Sequence, residues 1–531
     1  MKRPRARLFI PLIIIGLSLF FLQRNYMDEY PKHIHAWAEQ DHYALALGFL
    51  NNGFDLFHPE TMIYNKQFPG WWKTASDNTI TAVDFPIHEY CTALLMKLIG
   101  TTSPWVFRLW TLLWGFIGLL YLYKVVFHVT EKSSKALLVS FLALCSPVFI
   151  YYSNGFLPSI PAFALGVIGF WHYLCYLDEK KRKQFNLSIA FLMIAMLMRT
   201  TFAIELIAIL CFELLRIFRM ESTFLDKLPV VLLSAAAFFA YFLWNQHLRE
   251  LYGTIFLNQL LPPEDLQDAK ELIADTYHKW TFHYFQRSQY LLMAALTAIS
   301  AWCIFRNRKQ TVKKQVQQPL SLWWLTAIYI FGCLLFSMAM MQQMPNHDYY
   351  FIDTFFLPAL LMMALLLKTT KINHITMKTA FIGATVLFCF QWFQGAKTMQ
   401  EQRRKTEDAA ILSYMHFKDA DLLLDSLDIP RDAKILCLYG YPQNGPFIQM
   451  GRKGYTVMEN DDELLEAAFT WDYDYIVIEN SKFIHYFDTR REMLSKLKKI
   501  GGNDWISVCT PTNNWTYQAT WQFLYPPKKS Q

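Results

Sequence analysis

Eleven runs of apolar residues, each long enough to approach the thickness of a lipid bilayer, constrain this chain more than any other feature. About 20 apolar residues can cross a membrane as a helix, because the backbone polar groups are then satisfied within the segment. Of the 531 residues, 54% are hydrophobic and only 18% are charged, a balance that soluble domains seldom reach. The sequence therefore predicts an all-α polytopic membrane domain with spans near 8–22, 104–127, 134–152, 157–177, 187–200, 201–216, 228–245, 289–305, 321–341, 350–367 and 379–394.

Basic residues in the short loops orient these spans. Cytoplasmic loops are enriched in Lys and Arg, and the basic loops, from MKRPRAR at the start to KTTKINHITMK, all fall on one side of an eleven-span chain. This places the N-terminus in the cytoplasm and residues from about 395 onward outside. No small-residue cleavage site follows the first run, so we predict a retained span and no signal peptide. The net charge of +7 reflects these loops, without the aromatic and basic platform of a nucleic-acid surface.

Three parts of the chain face outward in this topology: the loops 23–103 and 246–288, and the tail. We predict a membrane domain over 1–395 that includes both loops, and an extracytoplasmic domain over 396–531. In the tail, AKILCLYG (433–440) and YDYIVIEN (473–480) are typical of buried strands, whereas DDELLEAAF (461–469) and RREMLSKLKKI (490–500) have helical periodicity. The tail is therefore expected to be a small α/β domain, without a glycine-rich phosphate motif.

Smaller features complete this organisation. Residues 89–99 are too short to span and predict a helix at the membrane interface, and PPEDLQDAKELIADTYHKWTFHYFQ predicts one or two surface helices. Nine cysteines show no metal-type spacing. Cys437 and Cys509 share the outer tail, where they could form a disulfide in an oxidising compartment or remain free thiols.

An acidic pair stands out in the first outer loop, within HAWAEQDHYALALGFL (35–50). In a helix, Trp37, Asp41 and Leu45 share one face, while Glu39 lies about 160° away from Asp41. A partly dehydrated carboxylate gains basicity, which suits a general base that deprotonates a hydroxyl. The alternative is an interfacial helix whose acids face water or cap a neighbour.

The order of motifs resembles a known class of enzymes. AEQDHYALALGFL, DFPIHEY (84–90) and FRLW (107–110) are followed by CSPVFIYYSNGFLPSIPAF, LMRTTFAIE and PNHDYYFIDTFFLPALL. This series resembles the GT-C membrane glycosyltransferases of the protein O-mannosyltransferase and lipid A aminoarabinose transferase type. The resemblance covers roughly residues 1–395, and it rests on pattern and order rather than on one specific motif.

The resemblance implies transfer of a sugar from a polyprenyl phosphate to a hydroxyl, with a carboxylate of the first loop as base. Strict register favours Glu39, whereas the helical face favours Asp41, and we expect Asp41 with Glu39 as the alternative. Two departures matter. His42 replaces the family arginine before Tyr43, and Ser159 stands where a second aspartate is expected.

Cations are expected to hold the leaving phosphate, because charge develops on it during transfer. Arg199, at the outer end of two short spans, and Arg108 are the candidates, and Tyr350 is a candidate contact to phosphate or sugar. The alternative is that both arginines snorkel to the interface. Asp353 and Glu205 lie within spans and are expected to face the protein interior, where either could pair with an arginine.

The remaining candidates are polar residues in the outer loops that could orient the acceptor: His42, Tyr43, Asp84, His88, Glu89, His347, Asp348 and Tyr349. Asp84 and Glu89, beside His88, could also hold a divalent cation with His278 or His283, although the spacing matches no recognised metal site. No metal or other cofactor is firmly predicted. The expected partners are a lipid-linked sugar, an extracytoplasmic acceptor (glycan, lipid or protein) and membrane lipids, and no nucleic acid.

Two other functions remain open from the residues. A flippase or transporter of a lipid-linked glycan should show repeated halves or broken helices around a midplane site, whereas polar features here concentrate in outer loops. A non-catalytic scaffold for envelope glycans is the second alternative, and the serine at 159 is consistent with it. Short loops and a compact tail favour a bacterial inner membrane over the endoplasmic reticulum.

Overall fold

Helices make up most of the protein. The computed structural model describes residues 9–65, 75–223, 225–257, 259–306, 321–370, 375–405, 409–458, 462–483 and 497–511. Within these residues the helices are α1 Phe9–Gln23, α2 Ala36–Asn51, α3 Ile87–Ile99, α4 Pro104–Thr130, α5 Ser133–Leu144, α6 Pro147–Tyr152, α7 Ser159–Glu179, α8 Arg182–Met198, α9 Ala203–Phe218, α10 Leu228–Tyr252, α11 Leu266–Tyr284, α12 Arg287–Arg306, α13 Leu322–Ala339, α14 Tyr350–Asp353, α15 Phe356–Thr369, α16 Ile375–Lys405, α17 Ala409–Phe417, α18 Ala420–Ser426, α19 Gly445–Met450, α20 Asp462–Ala468 and α21 Asn480–Phe483.

Each apolar run predicted to span a membrane coincides with helical structure over its described residues. Over the residues that the structure describes, four helices, α4, α7, α10 and α13, are long and apolar enough to cross a bilayer by length and composition. The total of eleven crossings stays a prediction. The interfacial stretch and the second loop also form the expected helices, α3 and α11. Asp265 caps α11, because its carboxylate accepts the backbone N–H groups of Gln267 and Asp268.

Two predicted spans are interrupted, and a third break carries a candidate residue. The run 134–152 divides into α5 and α6 before Pro147, which occupies the first position of α6, where the missing N–H of proline costs no hydrogen bond. The run 350–367 divides at Thr354 into α14 and α15. Between α8 and α9 the backbone of Arg199 is extended, so this arginine sits at the end of two helices rather than inside one.

The chain forms two compact units, each assembled from several stretches of the sequence. The helical unit contains most of the candidate spans. The sheet-bearing unit combines the first outer loop and a short central segment with the C-terminal part of the chain. The bounds are Met1–Glu29, Ser103–Phe242 and Gln259–Arg403 for the helical unit, and Tyr30–Thr102, Leu243–Asn258 and Arg404–Gln531 for the sheet-bearing unit.

A five-stranded sheet forms the core of the sheet-bearing unit. Its strands are β1 Ile435–Leu438, β2 Gly454–Val457, β3 Tyr475–Glu479, β4 Leu497–Gly502 and β5 Ile506–Pro511. The spatial order is β2-β1-β3-β5-β4, with β1 parallel to β2 and β3, and with β5 antiparallel to β3 and β4. The two strands predicted from the tail are β1 and β3, and the helix predicted over 461–469 is α20.

Backbone pairing explains why the first outer loop belongs to the same unit as the sheet. Gly454 on β2 donates its N–H to Met62 O at 3.0 Å and accepts from Tyr64 N at 2.9 Å. The Asn65 side chain exchanges two further bonds with the Thr456 backbone, at 2.8 and 2.9 Å. The loop therefore covers the outer edge of β2, a sheet edge that would otherwise expose unpaired backbone groups.

One expectation for the tail is wrong, and one open alternative is decided. The helix predicted over 490–500 falls partly on residues outside the described ranges, and Leu497–Gly502 is strand β4, since its backbone groups pair with β5. Of the two alternatives for Cys437 and Cys509, the disulfide is not formed in the described structure. They lie on β1 and β5 with β3 between them. Two strand spacings amount to about 10 Å, beyond the reach of a disulfide.

Candidate functional site

The acidic pair of the first loop lies on α2, a helix rich in Ala and Leu. Asp41 is 2% exposed and Glu39 is 3% exposed, so the alternative in which these acids face water does not hold. A glycine permits this burial. A Cβ atom on Gly48 would lie 1.9 Å from the carbonyl oxygen of Glu60, so the first loop packs directly on the helix backbone.

Two side-chain amides from the turn before α19 bind the Asp41 carboxylate. Gln443 Nε2 donates to both carboxylate oxygens at 2.8 Å, and Asn444 Nδ2 donates to Oδ1 at 2.8 Å. Burial raises the pKa of Asp41 to about 7, although these hydrogen bonds oppose the rise by stabilising the charged form. A carboxylate with this pKa is half-ionised near neutral pH, as a general base requires.

A second buried group joins α2 to α3. His42 Nδ1 lies 2.6 Å from Glu89 Oε1, and the His42 ring packs against Phe256. Burial raises the pKa of Glu89, but the hydrogen bond and charge of His42 outweigh this effect and lower it below the ordinary value. Burial lowers the pKa of His88 to about 4, so His88 is neutral at pH 7.

Of the other two first-loop candidates, Tyr43 follows His42 on α2, and Asp84 precedes α3. Tyr43 donates its hydroxyl to the backbone oxygen of Thr102. Asp84 is half-buried three residues before α3. Asp41, Glu39, His42, Tyr43, His88 and Glu89 thus share α2 and α3 of the sheet-bearing unit.

Arg199 forms the main cationic group of the helical unit. Its Nε donates to Asp353 Oδ2 at 2.8 Å, and the guanidinium lies over the rings of Tyr349 and Tyr350 at 5.2 and 5.4 Å. The expectation that Asp353 pairs with an arginine is confirmed. Among the described residues, the buried Nη2 of Arg199 has no hydrogen-bond partner. Arg199 therefore keeps a donor that an anion could accept.

Asp348 forms a different ion pair in the same unit. It accepts a hydrogen bond from Tyr152 at 2.6 Å and a charge-assisted bond from Arg403 near the end of α16. His283 Nδ1 lies 3.4 Å from Arg403 Nη1, and burial together with the Arg403 charge lowers the pKa of His283 to about 4. His347 has other contacts: its Nδ1 lies 3.1 Å from Gln343 O, and its ring packs against Tyr349 and Tyr350. The bonds of Asp348 therefore join α6 and α16 to the segment before α14, and such contacts favour a structural role.

Arg108 is committed to backbone groups. Its Nε donates to Glu29 O at 2.8 Å, its Nη1 donates to Asn154 O, and its guanidinium lies over the Phe156 ring. The side chain is buried, so it does not snorkel to an interface. Satisfied carbonyl partners favour a structural role for Arg108 and leave Arg199 as the better phosphate candidate.

An apolar cavity of about 310 Å³ adjoins the short helix that carries Tyr350 and Asp353. Phe351 on the same helix forms part of the wall, so α14 contacts both Arg199 and the cavity. The volume of this cavity falls at the small end of the range for ligand pockets. The lining residues are Ile273, Thr276, Tyr277, Thr281, Tyr284, Ser337, Met341, Met344, Phe351, Thr354 and Phe355.

The metal hypothesis gains no support from the part of the chain that the structure describes. There, no group of three or more His, Cys, Asp or Glu side chains is arranged to hold a metal ion. His88 is neutral at pH 7 and buried.

Sequence reasoning missed three residues that contact the candidates. Gln443 and Asn444 lie in YPQNGP, which has the composition of an ordinary turn, and Arg403 lies in a charged run after the last apolar segment. The only available signal was a pair of amides placed next to Gly-Pro at the end of a predicted buried strand.

Comparisons with known proteins agree with this architecture. A family model described as dolichyl-phosphate-mannose-protein mannosyltransferase matches residues 84–245. ArnT from Cupriavidus metallidurans, bound to undecaprenyl phosphate, superposes with a TM-score of 0.57 at 10% identity over 98% of this chain and 99% of ArnT. The chain has the GT-C fold. The resemblance predicted from the sequence is thereby confirmed.

Two further GT-C structures extend the match. The oligosaccharyltransferase of Archaeoglobus fulgidus, in complex with Zn and sulfate, gives a TM-score of 0.53 at 12% identity over 94% of this chain and 73% of that one. Arabinofuranosyltransferase AftD from Mycobacteria gives 0.53 at 11% identity over 97% of this chain, which spans only 40% of AftD. A search of curated proteins by sequence finds no match.

Proposed function

We propose that this GT-C chain is an integral-membrane glycosyltransferase that moves a sugar from a polyprenyl-phosphate donor to a hydroxyl acceptor. The observation that carries the proposal is the Arg199 group, a partly buried guanidinium whose buried Nη2 is uncommitted among the described residues. Two tyrosine rings pack on it, and Phe351 of α14 lines an apolar cavity. A polyprenyl phosphate has the matching chemistry, since it joins a charged head to an apolar chain.

The donor head binds at Arg199 in this proposal. Arg recognises phosphate through several directed hydrogen bonds, and charge on the leaving phosphate grows during transfer. The rings of Tyr349 and Tyr350 pack against the guanidinium, and Tyr350 is a further contact to the donor head in this proposal. ArnT was solved with undecaprenyl phosphate, and the oligosaccharyltransferase AglB from Archaeoglobus fulgidus with an inhibitory peptide and a dolichol-phosphate, which supports this donor class.

Asp41 acts as the base that deprotonates the acceptor hydroxyl. It is buried, its pKa is raised to about 7, and amide donors hold it in one orientation. Glu39 is the alternative base, two residues earlier on the same helix. The chain crosses the membrane several times, with a cytoplasmic N-terminus and with both α2 and the sheet on the extracytoplasmic side. We place it in a bacterial inner membrane.

The test uses the purified full-length chain in detergent, a panel of radiolabelled polyprenyl-phosphate sugars, and a membrane extract as acceptor. Wild type is compared with Asp41→Asn, Glu39→Gln and Arg199→Lys, and with Asp55→Asn as a matched control, because Asp55 is an exposed acid of the same loop. We expect transfer by wild type and the control. Asp41→Asn should lose activity by about 10²- to 10⁴-fold, the usual contribution of a general base.

The outcomes separate the alternatives. Loss in Glu39→Gln alone keeps the activity and moves the base by two residues. Transfer by wild type that Asp41→Asn and Glu39→Gln both retain removes the outer-loop base from the mechanism. No transfer by wild type with any donor refutes the enzyme, and a flippase or scaffold then accounts better for the fold.

A further inference from the structure

The turn between β1 and α19 supplies every polar contact of the Asp41 side chain within the described residues. Gln443 Nε2 reaches both carboxylate oxygens at 2.8 Å, and Asn444 Nδ2 reaches Oδ1 at 2.8 Å. No Lys, Arg or His pairs with Asp41 there. The carboxylate on the first outer loop is therefore held by two neutral amides from a distant part of the sequence.

Close packing fixes this turn on α2. Asn444 Oδ1 accepts the backbone N–H of Met62 at 3.1 Å, so one side chain bridges the first loop and Asp41. Gly445 follows at once, and a Cβ atom there would lie 2.2 Å from Gln40 Oε1 on α2. Neither Gln443 nor Asn444 is exposed to solvent. The amides thus have little freedom to leave the carboxylate.

The contacts distinguish the two oxygens of Asp41. Oδ1 accepts two amide hydrogens, whereas Oδ2 accepts one. Each carboxylate oxygen can accept about two hydrogen bonds, so the free capacity lies on Oδ2. Gln443 Oε1, on the same amide group, is buried and accepts no hydrogen bond among the described residues. An incoming group with hydroxyl donors would satisfy both atoms.

We propose that Gln443 and Asn444 are positioning residues, which hold the Asp41 carboxylate so that Oδ2 receives the acceptor proton. This rests on the proposed function, in which Asp41 is the base. In that step the acceptor O–H bond breaks and its proton goes to Oδ2. The acceptor oxygen bonds to the anomeric carbon of the sugar, and the bond from that carbon to the phosphate oxygen breaks with its electron pair on the leaving polyprenyl phosphate.

The test measures the transfer rate as a function of pH. Its acidic limb, the rise in rate as Asp41 loses its proton, reports the pKa of Asp41. Asp41 must be ionised to act, and amide donors favour its ionised form, so their removal should move the limb to higher pH by about one unit. Other titratable groups surround Asp41. Glu39 and His42 lie on its own helix, Glu89 of α3 contacts His42, and Tyr441 belongs to the turn. These groups are unchanged in the variants.

Initial rates are measured between about pH 5 and 9 with the full-length chain and the polyprenyl-phosphate sugar that wild type uses. Gln443→Met removes both Nε2 bonds at nearly constant volume. Asn444→Asp removes the donor to Asp41 and keeps the acceptor for the Met62 N–H, but it also adds a carboxyl beside Asp41 that raises the Asp41 pKa by itself, so Gln443→Met decides the test. Gln449→Met is the matched control, since Gln449 is an amide of the same turn and helix that contacts Tyr30. Thermal unfolding checks that each variant is folded.

We expect the limb to move upward in Gln443→Met and Asn444→Asp, with kcat reduced at low pH, and to stay at the wild-type pH in Gln449→Met. A folded Gln443→Met with the wild-type limb overturns the positioning role. If Gln443→Met does not fold, Gln443→Glu replaces it, and an unchanged limb there is equally decisive. If wild type transfers sugar but Asp41→Asn does too, the proposed base fails first, and this inference fails with it.

Discussion

Burial of Asp41 should make the stability of the protein depend on pH in a defined window. The carboxyl has a pKa of about 7 in the folded protein and 3.8 as an ordinary aspartate. The folded state therefore binds the proton more tightly, so Asp41 contributes most stability below pH 3.8. That contribution is lost as the pH rises towards 7, and the difference in pKa corresponds to about 4 kcal/mol in total.

The perturbation is Asp41→Asn, which removes the titrating group and nearly preserves its shape. Gln443 can rotate its amide to present Oε1, which has no partner in the described structure, to the amide that this substitution introduces. Apart from the missing titration of Asp41, we expect the substitution to change the stability of the protein by the same amount at every pH. Wild type should lose stability relative to Asp41→Asn between pH 4 and 7, and the difference should level off above that range.

Thermal unfolding of both proteins in the same detergent, at half-unit steps of pH, measures this effect. The quantity to follow is the difference in melting temperature at each pH, because other carboxylates titrate equally in both proteins. A difference that stays constant from pH 4 to 8 would refute the reasoning, since Asp41 would then titrate alike in the folded and unfolded chain. If wild type instead gains stability relative to Asp41→Asn as the pH rises, the amide hydrogen bonds lower the pKa of Asp41 by more than burial raises it.

Three further results are expected. Arg199→Lys should weaken binding of undecaprenyl phosphate about tenfold, because an ammonium cannot replace the directed donors of a guanidinium, while Arg219→Lys should bind it as wild type does in the same equilibrium measurement. Arg403→Met should lower the unfolding free energy by about 3–5 kcal/mol, since it leaves Asp348 charged and buried. Adding Asp348→Asn should restore part of this loss in chemical denaturation. Gly48→Ala should destabilise the protein by about 1–3 kcal/mol in the same assay, because its Cβ would collide with a backbone carbonyl.

Local pattern predicted the helices well. Apolar runs of nearly twenty residues and the periodicity of α3, α11 and α20 mark helices, because a helix satisfies its own backbone and needs no distant partner. Breaks within these runs were harder to predict. The break before Pro147 has a local cause, whereas nothing in the sequence near Thr354 marks the break between α14 and α15.

Strand β4 illustrates the opposite case. LKKI and its neighbours have a composition that favours a helix, yet these residues pair with β5 across a bulge between Lys499 and Gly501. A strand is stabilised by hydrogen bonds to another strand, so its partner decides its structure more than its own residues do. The same reason explains why the first outer loop, predicted within the membrane domain, pairs instead with the edge of β2.

In the candidate site, too, local sequence decided some features and distant partners decided others. The sequence by itself determined that Asp41 lies on a helix with its apolar face, that Arg199 ends a short apolar helix, and that the motif order resembles GT-C enzymes. Only the tertiary structure decided which partners these charged groups have. Gln443 and Asn444 donate hydrogen bonds to Asp41. Asp353 pairs with Arg199, and Arg403 pairs with Asp348. Helical periodicity acts over a few residues, whereas a buried charge is satisfied by whichever polar group the folded chain brings within 3 Å, and these partners lie up to about 400 residues away.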